Sequence, residues 1–193
     1  MEVRPGDRTL IVGERSASGA FLLNAIIGIW PWGRGGITRP PGQAMMFLPA
    51  RAHVPPGTLR AALAYPRAAT DYDDAAITRA LADVGLEHLG LLLDATDRWD
   101  RRLNENEKQS LAFARALLQR PQWLVVNGAF DALDSVSRGR IEALFAGPFS
   151  DVGLVDIGQG TARDGFYKRK LHLVTDSNGP TFRLVDHCVS AAA

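Results

Sequence analysis

Short apolar runs alternate along the chain with longer segments in which apolar residues recur every three or four positions. The short runs are bounded by glycine, proline or polar residues, which predicts buried strands at 9–12, 44–48, 123–126 and 152–157. The longer periodic segments predict helices at 20–29, 59–65, 74–84, 105–120 and 135–145. Strands that alternate with helices are typical of an α/β fold with a mostly parallel sheet.

The helix predicted at 105–120 has the clearest boundaries. Asn104 can accept a hydrogen bond at its start, and Glu107 stands three residues later, which is a capping-box arrangement. Pro121 ends the helix, because proline has no amide hydrogen to donate. Residues 94–102 are mostly polar and predict a loop, and the last apolar runs, at 170–174 and 181–185, predict a closing hairpin.

Composition restricts the class of protein further. The 193 residues, of which 46% are hydrophobic and 22% charged, are enough for one globular domain. A net charge of +1 gives no electrostatic reason to expect nucleic acid as a partner. The most apolar stretch, at 20–30, is about half the ~20 residues that a spanning helix needs, so no direct membrane insertion is expected.

Several motifs, taken in chain order, resemble those of the ATP-binding domains of ABC transporters. Residues 123–134, WLVVNGAFDALD, resemble the Walker B strand and the D-loop, and residues 103–118 resemble the signature helix. Residues 13–21, GERSASGAF, stand where a Walker A loop belongs, as a small-residue loop between the first strand and the first helix. Residues 28–35 and 47–60 are similar to SbmA/BacA-like transporters and to peroxisomal fatty-acyl transporters.

The resemblance covers about residues 6–174 and implies a fold and a set of partners. The expected fold is a P-loop NTPase-like core with a mostly parallel sheet and a helical subdomain at roughly 58–118. The expected domain is 1–193, N-terminally truncated, because the family's adenine-stacking aromatic would precede residue 1. The implied ligands are ATP and Mg²⁺. The implied partners are a transmembrane domain and a second nucleotide-binding domain at the cytoplasmic face of a membrane.

The residues at the expected Walker A positions depart from the family's G-x-x-x-x-G-K-[ST] pattern. Gly13 matches the first glycine, whereas Ser18 replaces the second glycine and Gly19 replaces the lysine that neutralises phosphate. Ala20 replaces the hydroxyl that binds magnesium. The loop amides remain, so the degenerate loop, including Ser16 and Phe21, is predicted to attract a small anion weakly at most.

The other catalytic positions of the family are also changed. Asn127 stands for the aspartate that holds magnesium, and Gly128 stands for the glutamate that polarises water. Ala50 replaces the Q-loop glutamine, and Gln159 replaces the switch histidine. No catalytic group and no metal ligand is therefore predicted.

The signature loop, normally Leu-Ser-Gly-Gly-Glu, begins at Leu103 and continues with three departures at Asn104, Glu105 and Asn106. Glu105 places a negative charge where the family accepts a phosphate from the opposite subunit, and like charges repel.

Several functions remain open from the sequence. The first is an ABC ATPase scaffold that has lost ATP binding and hydrolysis, either as a natural pseudo-ATPase or as a redesigned chain. The others are an ATP binder without hydrolysis, an ATPase with an unusual site that energises transport, and a non-enzymatic scaffold protein. No tightly bound cofactor is expected.

Overall fold

A mixed sheet forms the centre of the computed structural model, which describes residues 2–13, 16–30, 32, 35–40, 44–158, 165–175 and 182–188. Its strands in this part of the chain are β1 (Arg8–Gly13), β2 (Met45–Pro49), β5 (Trp123–Asn127), β6 (Gly153–Ile157), β7 (Arg169–Thr175) and β8 (Phe182–Cys188). Their order is β2-β5-β6-β1-β7-β8, and all neighbours are parallel except β7 and β8. The predicted α/β fold with a mostly parallel sheet is confirmed, and β7 and β8 pair antiparallel as the predicted closing hairpin requires. Residues 176–181, between them, lie outside the described residues.

Helices cover both faces of this sheet. The α-helices of the described residues are α1 (Ser16–Ile27), α2 (Leu59–Ala64), α3 (Asp74–Asp83), α4 (Trp99–Arg102), α5 (Glu105–Gln119) and α6 (Ser135–Leu144). Side chains alternate along a strand, so Val155 and Ile157 of β6 pack on the α1 side, whereas Leu154 packs on the side of α5 and α6. The two faces therefore have separate apolar clusters.

The first turn of α5 is capped as the sequence predicts. The Asn104 side-chain oxygen accepts from the Glu107 amide at 2.9 Å, and the Glu107 carboxylate accepts from the Asn104 amide at 2.9 Å. The helix ends at Gln119, where Arg120 takes a left-handed conformation with φ 48° before Pro121. Two otherwise unsatisfied amides are thus paired at the start of the helix.

The prediction of a loop at 94–102 is wrong. Residues Thr96–Asp97 form β4, which pairs with β3 (Gly57–Thr58), and α4 follows at once. Trp99 is fully buried, and its indole N–H donates to the Gly57 carbonyl at 3.0 Å. The polar residues of this segment surround one large apolar anchor, and that anchor orders the segment.

The small-residue loop predicted between β1 and α1 is shorter than expected, because α1 begins at Ser16 and not near Ala20. Serine and alanine fit helical backbone at little steric cost, so the first turn extends back towards β1. Residues 14 and 15 lie outside the described residues.

Helices α2 to α5 fall between β2 and β5 in the chain, where a helical subdomain at 58–118 is predicted. Arg115 of α5 joins this segment to the residues that follow β2. Its guanidinium is buried and donates to the Ala62 carbonyl at 2.7 Å and to the His53 carbonyl at 2.6 Å. Apolar residues of these helices continue into the core beneath the sheet, so the subdomain boundary remains a prediction.

Candidate functional site

The carboxyl ends of four neighbouring parallel strands meet at one edge of the sheet. Pro49 of β2 lies opposite Asn127 of β5, which lies opposite Ile157 of β6, and Ile157 lies opposite Ile11 of β1. Ligands of open α/β sheets bind at this edge. The residues that follow these strands include most of the positions singled out from the sequence.

Gly19 lies in the first turns of α1 with its backbone buried. A Cβ atom on Gly19 would lie 2.9 Å from Cγ2 of Ile157, which is closer than carbon atoms approach. The Ile157 branch is attached directly at its own Cβ and is itself buried, so it cannot swing aside. A side chain at position 19 therefore requires Ile157 or the start of α1 to shift.

The other residues of the predicted degenerate Walker A loop are spread along β1 and α1. Gly13 ends β1, and Ser16 and Ser18 belong to the helical backbone, although their side chains lie outside the described residues. Ala20 is exposed. Phe21 is about a third exposed (37%) and packs against Trp30 with a ring-centroid distance of 4.8 Å, so its contacts are with the protein.

Asn127 and Gly128 lie at the end of β5. Gly128 has a φ of +66°, in the left-handed region, and its amide donates to the Ile157 carbonyl at 3.0 Å. A Cβ on Gly128 would lie 3.3 Å from the Cβ of Ala50. A residue other than glycine at this position would be strained in conformation and crowded by Ala50.

The predicted signature residues lie at the start of α5, and each has a partner within the chain. Asn104 caps the helix, and the exposed Glu105 carboxylate pairs with Lys108 Nζ at 2.8 Å. The Lys108 hydrogen bond lowers the pKa of Glu105, so its carboxylate is ionised at neutral pH.

Asn106 joins the first turn of α5 to the first turn of α6. Its side-chain amide donates to Ser137 Oγ at 3.0 Å, and its side-chain oxygen accepts from the Asp134 amide at 3.0 Å. Both polar ends of Asn106 are thus used within the protein. The sequence predicts Asn106 as part of the signature loop, whereas the structure has it in the first turn of α5. The sequence gives no sign of its partners 28 and 31 positions away.

Two contacts near this edge are not foreseen from the sequence. Gln109 is buried in α5 and donates to the Pro49 carbonyl at 3.1 Å, which fixes the end of β2 beside Ala50. Asp156 is buried in β6, and its carboxylate accepts from the hydroxyl of Tyr167. Burial raises the pKa of Asp156 to about 7. An acidic residue inside an apolar strand, as in GLVDI, is the sequence signal that could have indicated it.

Gln159, at the predicted switch position, lies outside the described residues. Within the described ranges, no three His, Cys, Asp or Glu side chains are grouped as metal ligands. A search of the same ranges for a helix long and apolar enough to cross a membrane finds none.

Comparison with known proteins gives a consistent set of matches, although no protein-family model matches the chain. An uncharacterised ABC transporter ATP-binding protein of Synechocystis is 36% identical over 137 residues, which is 69% of this chain and 21% of that protein. The human ATP-binding cassette sub-family D member 3 is 28% identical over 148 residues, which is 72% of this chain and 22% of that protein.

A solved structure of a bacterial Atm1-family ABC exporter with ATP bound has the same fold. It superposes with a TM-score of 0.73 and 21% identity over 90% of this chain and 33% of that chain. The chain spans about a fifth of the length of the two relatives described above. The chain is homologous to the ATP-binding proteins of ABC transporters, and its fold is that of their ATPase domain, as the sequence motifs predict.

Proposed function

We propose that this ABC-transporter ATP-binding domain does not hydrolyse ATP and acts as a structural or regulatory partner of other domains. The observation that carries the proposal is the contact between Gly19 and Ile157. At the position where the family pattern has a phosphate-binding lysine, Gly19 has no side chain, and a Cβ there would lie 2.9 Å from Ile157 Cγ2. The packing of Ile157 beside position 19 thus favours a glycine there over a residue with a side chain.

The end of β5 supports the same proposal. Asn127 has no charge with which to hold Mg²⁺, and Gly128 has no side chain to polarise water. The left-handed backbone of Gly128 and the nearby Ala50 make this position unfavourable for a glutamate. Removal of a single catalytic group commonly lowers a rate by orders of magnitude, and two are absent here.

The start of α5 supports a loss of phosphate binding at the signature position. Glu105 presents an ionised carboxylate at the helix N-terminus, where a phosphate would have to approach. A carboxylate at this position repels a triphosphate, which itself has several negative charges. Asn106 is tied to Ser137 and to the Asp134 amide, so its side chain does not open towards a ligand.

The proposed partners are the transmembrane domain of an ABC transporter and a second nucleotide-binding domain, and the proposed location is the cytoplasmic face of a membrane. The relatives support this setting, since they are ABC transporter proteins of which this chain covers about a fifth. Their description as ATP-binding also favours a second candidate, in which the domain binds ATP and energises membrane transport.

A titration with Mg-ATP, read as a thermal shift, separates these two candidates. A ligand at a hundred times its Kd stabilises the folded state by about 2.7 kcal/mol. We expect no shift at millimolar Mg-ATP and no release of phosphate. A saturable shift with phosphate release would establish the second candidate, and a shift without release would mean that ATP binds but is not cleaved.

A rebuilt site provides the positive control. It combines Gly19→Lys, Ala20→Ser, Asn127→Asp and Gly128→Glu with a signature loop of Ser-Gly-Gly at 104–106, both with and without Ile157→Leu. We expect ATP binding to return only when Ile157 is also replaced. Binding by the rebuilt site with Ile157 retained would contradict the steric basis of the proposal.

A further inference from the structure

Asp156 occupies a position that is otherwise apolar. It lies in β6 with only 4% of its surface exposed, opposite Val126 of β5 and Leu10 of β1. Its backbone neighbours Val155 and Ile157 belong to the apolar cluster on the other face of the sheet. A buried ionised carboxylate is costly unless it is paired, so its environment decides whether it holds a proton.

The polar groups that face Asp156 come from three parts of the chain. The segment before β7 contributes Tyr167, whose hydroxyl donates to Oδ2 of Asp156. The segment between β5 and α6 contributes Asp131 and α6 contributes Arg138, and the charges of both act on Asp156. Glu142 of α6 acts on Tyr167. The strand neighbours Leu10 and Val126 are apolar. The group therefore holds three carboxyl side chains, one guanidinium and one phenol.

The second carboxylate oxygen of Asp156, Oδ1, lies beside Gly158. Over the described residues, Oδ1 of Asp156 has no hydrogen-bond partner. It lies 3.3 Å from the position that a Cβ of Gly158 would occupy, and Oδ2 of Asp131 lies 3.6 Å from that same position. Carboxyl oxygens of the buried Asp156 and of the exposed Asp131 thus both lie beside Gly158, and Oδ1 of Asp156 is unpaired.

We propose that Asp156 and Asp131 form a proton-operated lock between β6 and the segment 128–134 that follows β5. When Asp156 is protonated, the charge of Asp131 has no like charge next to it beside Gly158. When Asp156 is ionised, its buried charge repels that of the exposed Asp131 beside Gly158, and the packing of the segment 128–134 on β6 weakens. The lock needs no nucleotide and therefore goes beyond the proposed function.

The segment 128–134 connects this lock to the start of α5. Arg138 fixes the segment by donating to the Phe130 carbonyl at 2.9 Å and to the Leu133 carbonyl at 3.2 Å. At the end of the segment, the Asp134 amide donates to Asn106 of α5 at 3.0 Å. A change in the segment therefore reaches both helix N-termini that Asn106 joins.

The direction of the pH effect follows from the pKa of Asp156. Burial raises that pKa to about 7 in the folded protein, whereas an unfolded aspartate has a pKa near 3.9. The folded state thus binds the Asp156 proton more tightly than the unfolded state does. The resulting gain in the free energy of unfolding is complete below about pH 4 and is lost as the pH rises to about 7. Above about pH 7 Asp156 is ionised in both the folded and the unfolded state, so its contribution no longer changes with pH.

Hydrogen exchange of the amides at 128–134, corrected for the intrinsic rate at each pH, measures the lock directly. In the wild type we expect protection to fall by up to about tenfold for each pH unit between pH 5 and 7, and to level off above pH 7. Asp156→Asn is neutral at every pH and should abolish this dependence. Asp151→Asn, at an exposed position just before β6, should leave it unchanged.

Two further variants test the mechanism by shifting the pH at which protection levels off. The Tyr167 hydrogen bond lowers the pKa of Asp156, so Tyr167→Phe should move this point to higher pH. The charge of Asp131 raises that pKa, so Asp131→Asn should move the point to lower pH. These opposite shifts also provide the test if Asp156→Asn fails to fold, because a structural role alone would not produce them.

Two results would overturn the proposal. One is a wild-type dependence that persists in Asp156→Asn, since another group would then be titrating. The other is that Tyr167→Phe and Asp131→Asn move the pH at which protection levels off in the same direction, or do not move it. Carbon-13 NMR of the aspartate carboxyl groups, with Asp156→Asn for assignment, should show one carboxyl that titrates near pH 7, and its absence would equally refute the lock.

Discussion

The contact between Gly19 and Ile157 makes a prediction about stability that is opposite in sign to ordinary helix behaviour. At an open helical position, replacing glycine by alanine stabilises a protein by about 1 kcal/mol. At position 19 the new Cβ would lie 2.9 Å from Ile157 Cγ2, inside a buried region. Overpacking of this kind costs about 1–3 kcal/mol. We therefore expect Gly19→Ala to lower the free energy of unfolding by about 0–2 kcal/mol.

Replacing Ile157 by leucine removes the branch that causes this contact and retains the side-chain volume. The single change should cost less than about 1.5 kcal/mol. In the double variant, Gly19→Ala should regain its helical benefit, so the two changes should couple favourably by about 0.5–3 kcal/mol. Gly90→Ala is the matched control, because its new Cβ would meet Thr78 Cγ2 at an ordinary 3.9 Å. That control should show no coupling to Ile157→Leu.

Urea unfolding, followed both by circular dichroism and by tryptophan fluorescence, measures these free energies. Coincident transitions establish two-state unfolding, and an unchanged m-value establishes that the midpoint reports stability. The steric reasoning would be refuted if Gly19→Ala stabilised the protein by about 1 kcal/mol, and by the same amount in the wild type and in the Ile157→Leu variant. Position 19 would then have room for a lysine side chain. The main support for the proposal that the domain does not hydrolyse ATP would be lost.

Three further changes test other parts of the structure by the same unfolding assay. Asn104→Ala removes the cap of α5 and should cost about 0.5–2 kcal/mol, whereas a cost near zero would contradict the capping box. Trp99→Ala should cost about 3–5 kcal/mol, and a loss below 1 kcal/mol would show that α4 does not depend on this anchor. Gly128→Ala should cost about 1–2 kcal/mol because of its left-handed backbone, and a gain would refute that conformation.

Much of the fold could be predicted from the sequence, because local patterns determine it. The apolar run at 123–126 and the pair Asn104 and Glu107 are sufficient to place β5 and the start of α5. The segment around Trp99 could not be placed, because one buried tryptophan among charged residues gives no periodic pattern. Its burial is accompanied by a hydrogen bond to a distant carbonyl, that of Gly57, which the sequence does not indicate.

The residues of the candidate site could be located from motif order, but their environment could not. Gly19 and Ile157 are far apart in the chain and touch only because α1 packs across the end of β6. The same holds for Asp156, which meets Asp131 and Tyr167 only through the order of strands and helices. Long-range contacts of this kind depend on the topology of the whole sheet.

The close approach of Gly19 to Ile157 also restricts the evolutionary routes open to this chain. A lysine introduced alone at position 19 would meet the Ile157 branch and destabilise the fold before it could help to bind phosphate. A glutamate introduced at position 128 would meet a backbone suited to glycine. The order of substitutions therefore matters. On this steric argument, a change at 157 would have to precede a lysine at 19 for that lysine to be accommodated without loss of stability.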